Sequence, residues 1–227
     1  TRNSLAGSTG PTFPNLGWTP KSRPVALYVN GSYRGNYLLI ERIAPDASRV
    51  NIPELKADGQ TTNTAPGDVN NVAPNVTGGY ILEWDFRKGS DYNVNLGSDS
   101  GYVGVKEPEN DLDREGHTTT AGISSQQKSY ISKYLNTVDT NLRGSGFGNA
   151  TTGWRQYIDE KSAVDYYIAM EYLKPVDGNM WASTDMYKQR DTAAGAGDGR
   201  LFVGPLGDFE RPASAGKREG TGGAQDR

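Results

Sequence analysis

The dipeptide Asn30-Gly31 constrains this chain more than any other feature of its sequence. It separates two apolar runs. A type I′ turn needs positive φ at both central residues, which Asn and Gly accept most readily, so Asn-Gly between alternating stretches is a strong hairpin signal. Before it, Val25, Leu27 and Val29 alternate with Ala26, Tyr28 and Asn30, the two-residue period of a strand. After it, Gly35 implies a turn or bulge, and Tyr37-Leu38-Leu39-Ile40 is apolar throughout, which predicts a return strand central in a sheet.

Further elements follow the same logic. Gly78-Gly79 opens GGYILEWDF, a third strand with Glu83 in its middle, where a buried carboxylate needs a partner. Tyr102-Val103-Gly104-Val105-Lys106 reads as a fourth strand running into Glu107-Pro108-Glu109. Ser124 to Gln127 starts a helix whose apolar stripe is Ile131, Tyr134, Leu135 and Val138, ending near Gly144. The next segment, GSGFGNATTG, is a link without phosphate-loop spacing. Asp159 is an N-cap for a second helix with Glu160 in its first turn. Ala163, Val164, Tyr167, Ile168 and Met170 cover a wide face, which predicts a largely buried helix stopping near Lys174, ahead of Pro175. Two strands at 184–189 and 200–204, joined by a Gly/Ala turn, complete the pattern.

The arrangement predicts an α+β fold, a mainly antiparallel sheet packed on two or more helices, in a single domain over 23–210. Residues 1–22 read as a loop-rich segment, and 45–77 as a long surface excursion with few apolar positions. Residues 211–227 lack apolar periodicity and read as a disordered tail.

Composition narrows the chemistry. The chain has no Cys, which excludes disulfides, thiol catalysis and Cys-zinc sites. Its one histidine, His117, lies in the polar stretch EGHTTT and reads as a solvated loop residue. Carboxylates, Lys, Arg and hydroxyls remain, an inventory suited to phosphoryl transfer assisted by a divalent cation or to glycoside hydrolysis. A net charge of −3 argues against a general nucleic-acid binder, and no apolar run is long enough to span a membrane. Asp177 and Asp208 stand at element ends beside Gly178 and Gly207, where a backbone can approach phosphate or metal. Each candidate also has an ordinary reading. Aspartates cap turns, Lys106 is a strand-end lysine, Glu41 a surface carboxylate, and Gly31 to Gly35 a plain hairpin tip.

The motifs come in a familiar order. Leu27-Tyr28-x-Asn30-Gly31-x-Tyr33-x-Gly35-x-Tyr37-Leu38-Leu39-x-Glu41 is followed by Gly78-Gly79-Tyr80 and by Val105-Lys106-x-Pro108-Glu109. Then come Glu171-Tyr172-Leu173, Val176-Asp177, Met186-Tyr187-Lys188 and Gly204-Pro205-Leu206-Gly207-Asp208-Phe209-Glu210. This series resembles the CotH (spore-coat protein H) kinase family, in a domain shortened at both ends. The resemblance implies an atypical kinase-like, two-part architecture with a nucleotide between the parts. It implies Asp177 as the catalytic residue, Lys106 on the phosphates, and Gly31, Gly35, Glu41 and Glu83 around the nucleotide. Asp208 and Glu210 would hold metal, the cofactors being ATP and Mg²⁺ or Mn²⁺. The partners implied are a protein with a Ser or Thr acceptor and a nucleotide, for a monomer located extracellularly or at the cell surface.

Three departures stand out. Gly207 replaces the family tryptophan and is expected to enlarge or loosen the nucleotide pocket. Glu210 replaces an aspartate, and the spacing of 208 − 177 = 31 is long, the extra residues falling in the turn from Asp191 to Asp198. Two other readings stay open: an inactive extracellular or coat binding module of the same fold, and a glycosidase using Glu/Asp pairs.

Overall fold

The computed structural model describes residues 17–55, 69–88, 90, 92–96, 101–108, 111–112, 118–120, 122–175 and 181–207. Strands β1 (Ser22–Val29) and β2 (Ser32–Ile40) form the hairpin, antiparallel and with a register shift between Leu27 and Tyr28. Its turn is as expected, with φ of 50° at Asn30 and 78° at Gly31. Its place is not. The hairpin is a two-stranded sheet of its own, and Leu38, Leu39 and Ile40 are exposed, Leu39 at 64%. The expected central strand is therefore half of a projecting arm. An unbroken apolar run marks a strand that wants cover on both faces, and among the described residues nothing in the chain supplies it.

The main sheet has the order β4-β5-β3-β8-β9, built from β3 (Tyr80–Asp85), β4 (Tyr92–Asn95), β5 (Tyr102–Glu107), β8 (Thr184–Lys188) and β9 (Leu201–Val203), every pairing antiparallel. The late strands β8 and β9 continue the sheet of β3 and β5. A separate backbone ladder joins β6 (Asp111–Leu112) to β7 (Thr118–Thr120).

Alternation along β3 divides the interior. Tyr80 and Leu82 point to one side, where Val103 and Val105 of β5, Met186 of β8, and Ile131 and Leu135 of α1 (Ser125–Arg143) close the largest core. Ile81 points to the other side and packs on Val50 and Ile52, with Trp18 and Ile43 against them. Those contacts correct the surface reading of 45–77: Val50, Ile52 and Leu55 are buried, as are Asn70, Asn71 and Thr77. Val76 is buried as well, whereas Val69 and Val72 are exposed. Gly78 and Gly79 permit this fit. A Cβ on Gly78 would lie 2.2 Å from the Arg190 backbone nitrogen, and one on Gly79, at φ +95°, would lie 2.5 Å from the Pro53 carbonyl oxygen.

Helix α1 begins with a full capping box. The Ser124 hydroxyl accepts from the Gln127 backbone N–H, and the Gln127 side chain accepts from the Ser124 N–H. Helix α2 (Glu160–Leu173) is capped by Asp159, whose carboxylate accepts from the Ser162 N–H, and it ends at Lys174 in the left-handed region at φ 49°. Its buried face is Ser162, Tyr166, Ala169 and Met170, packed on Val203 and Leu206. Val164, Tyr167 and Ile168 are exposed instead of buried. This helix is apolar nearly all round, so its composition leaves open which side faces the sheet; contact with β9 decides it.

Candidate functional site

A cleft of about 340 Å³ lies between the base of the arm and the face of the sheet that carries Ile81, within the ordinary range for small-ligand sites. Its floor comes from three adjacent strands: Ile81 and Glu83 on β3, Lys106 and Glu107 on β5, and Asp185 on β8. Its other wall is Pro20 with Ile40, Glu41, Arg42 and Ile43, and Ser183 and Gly207 close one end.

The register explains how these side chains meet. Glu83 stands directly opposite Asp185 on β8 and Gly104 on β5, so all three positions share one face. The β3–β5 ladder then shifts between Ile81 and Leu82, passing from Leu82↔Val105 to Ile81↔Glu107. Lys106 is the extra residue, and the bulge lets two successive residues, Lys106 and Glu107, line the same cleft.

Two ion pairs cross the site. Lys106 Nζ donates to Glu83 Oε2 at 3.1 Å, and Arg42 Nη2 donates to Glu107 Oε1 at 2.9 Å. The second pair ties the base of the arm to the sheet. Glu41 has a structural task as well: its carboxylate accepts from the Lys21 backbone N–H at 3.0 Å, closing the open end of the hairpin. Lys106 remains 43% exposed, so its ammonium can exchange Glu83 for an anionic ligand at little desolvation cost.

Of the sequence candidates, the structure therefore brings together Glu41, Glu83 and Lys106. Gly31 and Gly35 do not line the cleft; they sit in the outer half of the arm, and a Cβ on Gly31 would meet nothing within 4 Å. Asp177, Asp208 and Glu210 lie outside the described residues, as does His117. Among the described residues no group of three or more His, Asp or Glu is placed to hold a metal ion. The cleft offers Glu83 and Asp185 as a facing pair.

Asp185 is the site residue that sequence reasoning passed over, and it changes the reading of Gly207. A Cβ on Gly207 would lie 2.9 Å from Asp185 Oδ2 and 3.3 Å from Ile43 Cδ1. A carboxylate and an isoleucine thus crowd the place where any side chain at 207 would start. The TDMYK alternation puts Asp185 and Tyr187 on one face, but only the register against Glu83 shows that this is the cleft face.

Behind the floor, on the α1 side, Lys188 is fully buried. Its ammonium donates to the carbonyls of Thr77 and Gln189, each at 2.8 Å, stands 3.7 Å from Asp191 Oδ1 and lies 4.6 Å from the Tyr134 ring centroid. Burial pushes its pKa down to about 8, with Asp191 opposing that shift. Asp191 in turn accepts from the N–H groups of Gly197 and Gly199, both at 3.0 Å, and so shapes the turn in which the sequence placed extra length.

A family model described as CotH kinase protein matches residues 17–205 of the 227, most of the chain. The chain belongs to the CotH kinase family. The match covers the arm, the main sheet, both helices and nearly the whole cleft lining, Gly207 excepted. No curated protein and no solved structure gave a match. As a CotH-family protein the chain is kinase-like, and no helix among its described residues is long and apolar enough to cross a membrane.

Proposed function

We propose that this chain is an atypical protein kinase, with its domain over 23–210, that transfers the γ-phosphate of ATP to Ser or Thr hydroxyls of secreted or surface proteins. One observation carries the reading: Lys106, paired with Glu83 at 3.1 Å, faces a cleft of nucleotide-compatible size in a chain of the CotH family. Lys106 would meet the phosphates as a point charge, with Glu83 holding the ammonium until they arrive. The acceptor oxygen forms its bond to the γ-phosphorus as the bond to the bridging oxygen of ADP breaks, and Asp177 takes the hydroxyl proton. Asp208 and Glu210 would hold Mg²⁺ or Mn²⁺, which neutralises charge developing on the phosphates.

A second reading is favoured by the lining itself. Glu41, Glu83, Glu107 and Asp185 outnumber Lys106 and Arg42, and a Cβ on Gly207 would lie 2.9 Å from the carboxylate of Asp185. Such a lining opposes a polyphosphate and suits a module that keeps the fold without turnover.

The test is the thermal midpoint with ATP, with and without Mg²⁺ or Mn²⁺, for the wild type, Asp208→Ala and Lys106→Ala. Nucleotide at 100 times its dissociation constant adds about 2.7 kcal/mol to stability. A metal-dependent shift in the wild type that both variants lose, with phosphate transferred to an added protein, supports the kinase. No shift in folded wild-type protein sinks the kinase and leaves the inactive module, with its acidic lining, ahead.

A further inference from the structure

Both ion pairs of the cleft end on the β5 bulge, one at Lys106 and the other at Glu107, the residue after it. Their two cations face one ligand space from opposite walls, Lys106 from the floor and Arg42 from the base of the arm. Lys106 has a role in binding phosphate, whereas Arg42 so far has only the tie between arm and sheet. That tie stabilises the fold little, because Arg42 is 64% exposed and solvent screens the pair.

The backbone of Arg42 is held on both sides. Glu41 exchanges two hydrogen bonds with Lys21: its N–H donates to the Lys21 carbonyl and its carboxylate accepts from the Lys21 N–H, each at 3.0 Å. Ile43 packs against Val50, Ile52 and Ile81. A held backbone carrying an exposed guanidinium is a preorganised ligand for an anion. The backbone needs no ordering, and the head exchanges one carboxylate for another acceptor at little desolvation cost. The guanidinium presents a planar fork that meets two phosphate oxygens at once, where Lys106 acts as a point charge.

We propose that Arg42 is a second phosphate-binding residue of this cleft, meeting a nucleoside di- or triphosphate from the arm side while Lys106 holds it from the sheet side. The inference rests on the nucleotide reading of the cleft. Arg42 leaves Glu107 for the phosphates as Lys106 leaves Glu83, and no covalent bond changes. ATP arrives as its magnesium complex, which lowers the negative charge that the two released carboxylates meet. The ligand then replaces the Arg42–Glu107 tie and joins arm to sheet through its phosphates. A polyphosphate gives each cation its own oxygens, so the two walls together favour ATP and ADP over AMP.

Calorimetric titration of the whole chain with MgATP tests this. Arg42→Ala is expected to weaken binding about tenfold or more, the loss of one charge-assisted contact. Arg42→Lys keeps the charge without the fork and should fall between. Glu107→Gln separates the ligand from the tie: it breaks the same ion pair but leaves the cation. A phosphate-binding Arg42 is then released to its ligand, and MgATP should bind several-fold tighter. If Arg42 only held the arm against the sheet, Glu107→Gln would weaken binding as Arg42→Ala does, and that result overturns the proposal. Wild-type affinity in Arg42→Ala, with Lys106→Ala still weakened, overturns it too and leaves the nucleotide reading standing. No binding by folded wild type removes the nucleotide reading and the proposal together.

Discussion

Gly207 shows how one residue can mislead when read without its neighbours. A glycine in place of a large aromatic suggests empty space, yet Asp185 Oδ2 and Ile43 Cδ1 lie 2.9 and 3.3 Å from where its Cβ would stand. Both are the far ends of side chains that can yield, so Gly207→Ala should cost about 1 kcal/mol rather than prevent folding. The same change in an Asp185→Ala background should be close to neutral, because the atom it would meet first is gone. Urea denaturation of the four proteins in this cycle measures the coupling, and additive losses would show that Asp185 is not the neighbour that excludes a side chain there. The signal that could have exposed Asp185 is weak. Its alternation with Met186 and Tyr187 gives a face, while its function depends on Glu83, 102 positions earlier (185 − 83), through a register that no local pattern records.

Single elements were more legible than their partners. The Asn30-Gly31 turn, the strand from Tyr80 and both helix caps are local, and short-range chemistry fixes them: positive φ at the turn, Ser124 with Gln127, Asp159 with Ser162. What the pattern does not contain is where an element docks. The β2 run reads as a central strand because it is apolar, and α2 reads as buried because its apolar residues encircle it. The capping box of α1 illustrates the same division. Its sequence signature predicts a helix start, but the Ser124 hydroxyl also donates to Asn71 Oδ1 at 2.5 Å, joining the helix to a segment that looks like surface loop. Ser124→Ala should therefore exceed an ordinary cap loss of about 1 kcal/mol and reach about 2 kcal/mol with the buried hydrogen bond included. Gln126→Ala, one turn position away and outside the box, is the control expected to change little. Equal effects for the two would mean that the cap is not tied to Asn71.

For the molecule as a whole, the hidden feature is a cation inside the core. Lys188 reads as a strand-end lysine, yet its position opposite Tyr80 turns it inward among Tyr130, Tyr134 and two carbonyls. Its pKa, lowered by burial to about 8 from an ordinary value near 10.5, makes stability depend on pH with a definite sign. Below pH 8 the group is charged in both folded and unfolded chains, and the cost of burying the ammonium is fully present. Between pH 8 and 10 the folded protein has released this proton and the unfolded chain still holds it, so stability rises with pH. A rise over two pH units corresponds to about 3 kcal/mol. Above pH 10 the balance reverses. Burial raises the pKa values of Tyr166 and Tyr187 to about 12 and pushes those of Tyr80, Tyr130 and Tyr134 higher, so these phenols ionise first in the unfolded chain. The midpoint of urea unfolding is expected to climb from pH 8, peak near pH 10 and then fall. Lys188→Met keeps the volume and removes the titration, so its profile should be flat from pH 8 to 10 and fall as the wild type does above. A wild-type midpoint that does not climb over that interval would mean that the Thr77 and Gln189 carbonyls, Asp191 and the tyrosine rings together offset the burial of the ammonium completely.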